Sequence, residues 1–88
     1  MRVERKDGWL SARVGDEIVM MSAEHGDYLG LSEVGARIWE LIAEPREFDD
    51  ICAELRREFD VAPEVCEAEV RAFVSELAAQ NAAIIDAG

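Results

Sequence analysis

The 88-residue sequence predicts an α+β fold in which a three-stranded antiparallel sheet precedes three helices. Two observations lead to this prediction. Short β-type runs separated by glycine-containing turns fill the first third of the chain, whereas apolar residues recur at helical spacing in the remainder. Because no internal repeat, linker or low-complexity segment interrupts this order, residues 1–88 are predicted to form a single domain.

The predicted strands cover residues 9–14, 17–22 and 27–31. A Gly-Asp pair joins WLSARV to EIVMMS and is typical of a hairpin turn, and AEHG forms the next turn before DYLGL. In the third strand, Leu29 and Leu31 should face one side of the sheet. Tyr28 and Gly30 should face the other side. The polar segment 1–8 is predicted to be flexible.

The first predicted helix follows the third strand without a linker. Ser32 is expected to cap it through its hydroxyl group, and Glu33 to interact favourably with the positive end of the helix dipole. Gly35 costs about 1 kcal/mol relative to alanine inside a helix, and we attribute its presence to close packing on the sheet. Pro45 ends the helix at residue 43 or 44.

Two further helices follow. The second covers residues 49–59, with Asp49 as its N-cap and Phe48 as a hydrophobic staple. The third begins at Pro63, because proline is favoured at the first position of a helix, and it runs to about residue 80. This order of elements is typical of the winged helix-turn-helix plan.

The third helix carries an apolar stripe of four residues, namely Cys66, Val70, Phe73 and Leu77. Val74 and Ala78 widen this stripe on one flank only. Asn81 is expected to stop the helix, and residues 82–85 are expected to form an extended tail.

Twenty acidic and nine basic side chains give a net charge of −11, which argues against a nucleic-acid partner. The alternative of a DNA-reading winged helix would need basic or amide side chains on the third helix, where Arg71 stands among four acids. No apolar run is long enough to span a membrane, and no secretory signal is evident. We therefore expect a cytoplasmic location and no membrane partner.

No set of residues indicates catalysis. His25 is the only histidine, so Cys52 and Cys66 lack a paired general base and are interpreted as small core residues. A zinc site would need about four ligands, and a phosphate-binding loop would need glycine spacing and a lysine that GDYLG lacks. The chain is therefore predicted to be no enzyme and to bind no metal or cofactor. The remaining candidate function is peptide binding, in which a peptide pairs as an extra strand with the free edge of the predicted sheet.

Three stretches, YLGLSEVGARIWELI, FDDICAELRREFDV and CEAEVRAFVSEL, together resemble the PqqD-like family. These are small domains that recognise precursor peptides in ribosomal peptide natural-product pathways. The resemblance covers about residues 9–86 and depends on the whole pattern, since no single motif is diagnostic. The first stretch is most similar to the stand-alone members found with lasso-peptide gene sets. QNAAII departs from the family's small-glycine turn, which leaves the packing of the tail open.

The resemblance implies a winged helix-turn-helix and a non-catalytic role. Such domains hold the leader segment of a precursor peptide as a strand added to the third strand, against the third helix, and present it to a modifying enzyme. In a lasso pathway that enzyme is a leader peptidase, and the leader would offer a tyrosine and a proline. The alternatives are a peptide chaperone for a radical enzyme, as in the pyrroloquinoline-quinone pathway, and a winged-helix DNA-binding or adaptor protein. The chain is expected to be a monomer or a weak homodimer.

The peptide-binding residues that follow lie on the third strand and the third helix: Asp27, Tyr28, Leu29, Gly30 and Leu31, with Glu67, Val70, Arg71, Val74 and Ala78. The strand residues come from the stretch that matches the family. The helix residues come from the widened apolar flank, and the opposite flank is the alternative. On this assignment Val74→Glu, or a proline at Leu29, is predicted to abolish leader binding.

Overall fold

The computed structural model describes residues 1–86, which contain six strands and three helices. In chain order the elements are β1 (Arg2–Arg5), β2 (Trp9–Val14), β3 (Glu17–Ser22), β4 (Tyr28–Leu31), α1 (Glu33–Leu41), β5 (Arg46–Glu47), α2 (Phe48–Glu58), α3 (Pro63–Ala79) and β6 (Ala83–Asp86). The strands form two antiparallel sheets, in the orders β2-β3-β4 and β5-β1-β6. The predicted α+β class is therefore confirmed.

The sheet β2-β3-β4 has the three strands that the sequence predicts. Its hairpin turn includes Gly15, which has a φ of 64°, a conformation that glycine adopts without steric cost. Ile18 and Met20 on β3 are buried, as is Leu31 on β4. One face of this sheet therefore packs on the core, with the inward and outward alternation that the sequence predicts for β4.

The second sheet was not predicted, and it includes Arg2–Arg5 from the segment for which the sequence indicates flexibility. These residues form β1, which pairs with β5 on one side and with β6 on the other. Val3 is completely buried. Arg5 also donates to the Trp39 carbonyl oxygen at 2.6 and 2.9 Å, and its guanidinium lies 4.2 Å from the centre of the Trp39 ring. This cation–π contact and these hydrogen bonds hold β1 against α1.

Two helix starts differ from the prediction. Ser32 is the N-cap of α1 by backbone geometry, but its hydroxyl makes no capping hydrogen bond. The helix α2 begins at Phe48, one residue early, with Glu47 as N-cap and Asp49 inside the first turn. The shift follows from the second sheet, because the Phe48 amide donates to the Met1 carbonyl oxygen at 2.8 Å and so continues the β5–β1 pairing.

Asn81 ends α3 as predicted. It occupies the position just after the helix at which glycine is most common. Its φ is 66°, in the left-handed region. Its amide donates to the Ala78 carbonyl at 3.0 Å, and the Ala82 amide donates to the Leu77 carbonyl at 2.8 Å. These are the two hydrogen bonds of a Schellman motif. The reversal directs the chain into β6, so the extended tail that the sequence predicts is present.

The core lies between the two sheets and the three helices. Its largest fully buried side chains are Met20, Ile38, Ile42, Ile51, Leu55, Leu77, Val3, Val70 and Val74. At the surface, Arg37 on α1 makes two hydrogen bonds of 2.7 and 2.9 Å with the Glu58 carboxylate on α2. These hydrogen bonds lower the pKa of Glu58. This hydrogen-bonded ion pair therefore links α1 to α2 at the surface.

Candidate peptide-binding edge

The strand β4 lies at one end of its sheet. It pairs with β3, with Leu31 opposite Ile18 and Tyr28 opposite Met21. Within residues 1–86, no strand pairs with its other edge. The strand contains neither proline nor lysine, which proteins commonly use to block further pairing at an edge. Its outer edge is therefore available to another strand.

Two residues direct their main-chain groups to this outer edge. The Ser22 amide donates to the Asp27 carbonyl oxygen at 2.8 Å, so the main-chain groups of Asp27 point towards β3. In an antiparallel ladder this direction alternates from residue to residue. The amide and carbonyl groups of Leu29 and Leu31 then also point to β3, and those of Tyr28 and Gly30 point away from it.

The side chains of β4 divide as the sequence predicts. Leu31 is buried and Leu29 is half-buried, so both belong to the core side. Tyr28 is 72% exposed on the opposite face. Gly30 lies on that face as well, and a Cβ atom placed on it would meet no heavy atom within 4 Å.

The helix α3 approaches the C-terminal end of β4 through Phe73. A Cβ atom placed on Gly35 would lie 2.9 Å from Cε1 of Phe73 and 3.6 Å from Cβ of Leu31. The glycine in α1 therefore makes room for this ring, and not only for the sheet as we had expected. Phe73 remains half-buried, which leaves part of the ring accessible beside β4.

The C-terminal end of α3 lies near the start of β4. Asp27 and Gln80 line one polar cleft of ≈ 150 Å³, together with Asn81. From Phe73 to Gln80 the helix rises about 10.5 Å, and from Asp27 to Leu31 the strand advances about 13 Å. The two elements therefore run side by side in opposite directions. We call the α3 surface formed by Phe73, Glu76 and Gln80 the β4 flank.

The structure does not bring the predicted helix residues to β4. Val70 and Val74 are completely buried in the core. The Arg71 guanidinium lies 4.9 Å from the centre of the Phe48 ring of α2 and 3.4 Å from the Glu67 carboxylate. Arg71 stands about 160° from Phe73 around the helix axis, since each residue turns the helix by 100°.

These positions favour the other flank of α3 for the helix side of the groove, which the sequence analysis gave as the alternative. Glu67, Arg71 and the half-buried Ala78 lie on the flank turned away from β4, towards the start of α2. Gly35 is the sequence feature that could have indicated the β4 flank. A glycine inside one helix can make room for a large side chain of a second helix, here the Phe73 ring of α3. The sequence interpretation had assigned Phe73 only to the core stripe.

The two cysteines are placed as structural residues. Cys66 is buried, and its Sγ atom donates to the Cys52 carbonyl oxygen at 3.7 Å. Burial raises the pKa of Cys52 to about 11, so its thiol stays protonated and unreactive at neutral pH. Among residues 1–86, no group of His, Cys, Asp or Glu side chains could hold a metal ion. No helix in the same range is long and apolar enough to cross a membrane.

Comparisons with known proteins agree with this fold. The model of the family described as "Coenzyme PQQ synthesis protein D (PqqD)" matches residues 17–82, which is more than half of the chain. Among solved structures, TbiB1 in complex with the TbiA(beta) leader peptide superposes with a TM-score of 0.86 and 30% sequence identity. That match covers 97% of this chain and 99% of the TbiB1 chain.

A second solved structure, lasso peptide synthetase B1 complexed with the leader peptide, has a TM-score of 0.82. It shares 19% sequence identity, over 94% of this chain and 98% of that chain, so it supports the fold alone. A comparison with curated protein sequences gives no match. The family match, and the agreement in fold over nearly the whole length, confirm the resemblance: the chain belongs to the PqqD family.

Proposed function

We propose that this chain binds the leader segment of a ribosomally made precursor peptide and presents it to a modifying enzyme. The observation that supports this proposal most strongly is the outer edge of β4, which pairs with no strand of residues 1–86 and lies beside the β4 flank of α3. The relative with 30% identity, TbiB1, is known in complex with a leader peptide. A leader that adds to the β4 edge would use the same fold for the same task.

Binding would occur by β-augmentation. The outward amide and carbonyl groups of Tyr28 and Gly30 would form main-chain hydrogen bonds with the leader, which tolerate many leader sequences. Specificity would come from side chains that pack between the strand and the helix. The accessible parts of Leu29 and Phe73 offer an apolar contact there, and Asp27 and Glu76 give it an acidic border. A leader with an apolar anchor and a flanking basic residue fits this surface best.

We therefore assign the helix side of the groove to the β4 flank, and retain residues 27–31 for the strand side. This role needs no catalytic group from the chain, so the chemistry belongs to the partner. By analogy with the lasso-type relatives, we propose a leader peptidase as that partner. A radical enzyme as partner would instead point to a pathway like that of the family's quinone-synthesis namesake.

The choice of flank can be tested with two single substitutions on α3. We expect Phe73→Ala to weaken leader binding about tenfold, because truncation of a well-packed anchor in an interface commonly costs more than 1 kcal/mol. Arg71→Ala should leave leader affinity unchanged, since Arg71 faces α2. Fluorescence polarisation of a labelled leader gives both dissociation constants.

Phe73→Leu provides a control for folding, because it keeps most of the apolar volume at this half-buried position. Circular dichroism should show native helix content in all three variants. If Phe73→Ala kept the parental affinity for the leader and Arg71→Ala lost affinity, the groove would lie on the opposite flank of α3.

The proposed function itself is tested by titration of the chain with a labelled leader from the short gene beside its own gene. A scrambled leader of the same composition is the control for charge attraction and nonspecific apolar binding. We expect saturable binding at micromolar concentration or tighter, about −8 kcal/mol, for the native leader alone. Equal affinity for both peptides, or no binding to a folded chain, would refute the proposal.

A further inference from the structure

The sheet β2-β3-β4 has a second face, directed away from the core, that is unusually apolar. The register places Leu10, Met21 and Tyr28 in one row across the three strands. Ala12, Val19 and Gly30 form the next row, and Val14 opposite Glu17 forms the last. Six residues of these rows have apolar or aromatic side chains, and we call them the outer face: Leu10, Ala12, Val14, Val19, Met21 and Tyr28.

This face is open. Leu10 is 59% exposed, Val14 64% and Val19 40%, and Gly30 leaves a gap in the middle of the sheet. An antiparallel sheet with one packed face normally carries polar residues on the other. A contiguous exposed apolar patch of this kind marks an interaction site, because scattered single residues would not line up in rows.

Two observations identify the class of partner. The first is charge: Glu17 is the only charged residue in the three rows, and the chain carries −11 overall. A second copy of the chain would be repelled, whereas a protein with basic residues around an apolar patch would be attracted.

The second observation is that the outer face is continuous with the proposed leader site, because Tyr28 belongs both to this face and to the β4 edge. Alternate side chains of an added leader strand would extend the outer face.

We propose that the outer face is the docking surface for the enzyme that modifies the bound precursor peptide, a protein with a basic-rimmed apolar patch. This inference rests on the proposed function, since it needs a leader at the β4 edge. The composite surface of sheet and leader is complete only when the leader is bound. The enzyme would therefore bind the loaded chain more tightly than the empty chain.

The test uses the purified leader peptidase that we propose as the partner, with the full-length chain immobilised for biolayer interferometry. The variant Leu10→Thr/Val14→Thr/Val19→Thr removes apolar surface but keeps residues that favour strands, and it leaves β4 intact. We expect the peptidase to bind this variant at least about tenfold more weakly, with saturating leader present. Leader affinity, measured separately by fluorescence polarisation, should change by less than about twofold.

Val65→Thr/Ile84→Thr is the matched control, because these residues are 46% and 44% exposed but lie on α3 and β6. It should bind both the peptidase and the leader as the parent does. The inference is overturned if the peptidase binds the triple variant as tightly as the parent, or binds neither. It is also overturned if sedimentation shows a parent dimer that the triple variant converts to monomers. Failure of the parent to bind leader would refute the proposed function, which the separate leader titration would reveal.

Discussion

Val74→Glu should unfold the chain. Val74 lies on α3 with no exposed surface, within the cluster of buried residues shared by both sheets and all three helices. A carboxyl group there would lose its hydration and find no partner, and the longer side chain would overpack the core. We expect a loss of about 4 kcal/mol or more in the free energy of unfolding, which is a large part of the 5–15 kcal/mol that a domain usually has.

Urea titration followed by circular dichroism measures this loss. Ser75→Glu is the control, because it places the same side chain one residue further along α3 at an exposed position. Its free energy of unfolding should change by less than about 1 kcal/mol. A Val74→Glu chain that unfolds at the parent's urea concentration would show that Val74 is accessible, and would restore it as a candidate leader contact.

Gly30→Pro should weaken leader binding strongly and preserve the fold. The Gly30 amide points away from β3, so its loss breaks no hydrogen bond inside the sheet. Proline is tolerated on edge strands in this orientation, and there is open space around the Gly30 Cα atom. An added leader would lose one hydrogen bond and keep an unpaired carbonyl, which together cost about 2–4 kcal/mol. Leader affinity should fall about hundredfold.

Two variants separate the lost amide from other effects. Gly30→Ala keeps the amide and should bind the leader nearly as the parent does, because nothing lies within 4 Å of the new methyl group. Leu29→Pro, by contrast, removes an amide that faces β3 and should destabilise the fold itself, so it is a poor test of the edge. If folded Gly30→Pro bound the leader with parental affinity, the leader would not pair with β4.

The local sequence pattern was sufficient to predict β2, β3, β4 and α3. Each of these elements has a clear period of apolar residues and a turn or a cap at its ends. It was insufficient for the second sheet. Val3 is the only fully buried residue of β1, and its partners lie more than forty residues away in β5 and β6. A single apolar residue between charged neighbours gives no strand period, so the pairing could not be read from the sequence.

The site was predictable in part for a similar reason. The strand residues 27–31 could be placed because the turn before them and the helix after them are both local features. The helix side depended on which neighbour each flank of α3 meets. That choice is set by two tertiary contacts, Phe73 with Gly35 and Arg71 with Phe48, that helical periodicity does not contain.

Amide hydrogen exchange at Tyr28 and Gly30, followed by NMR with and without saturating leader, tests strand addition at β4 most directly. Both amides face outwards in the free chain and should exchange quickly. On leader binding we expect both to become protected by at least about tenfold, while the inward Leu29 amide changes little. Leader binding that leaves the Tyr28 and Gly30 amides exchanging at their free rates would contradict strand addition at this edge.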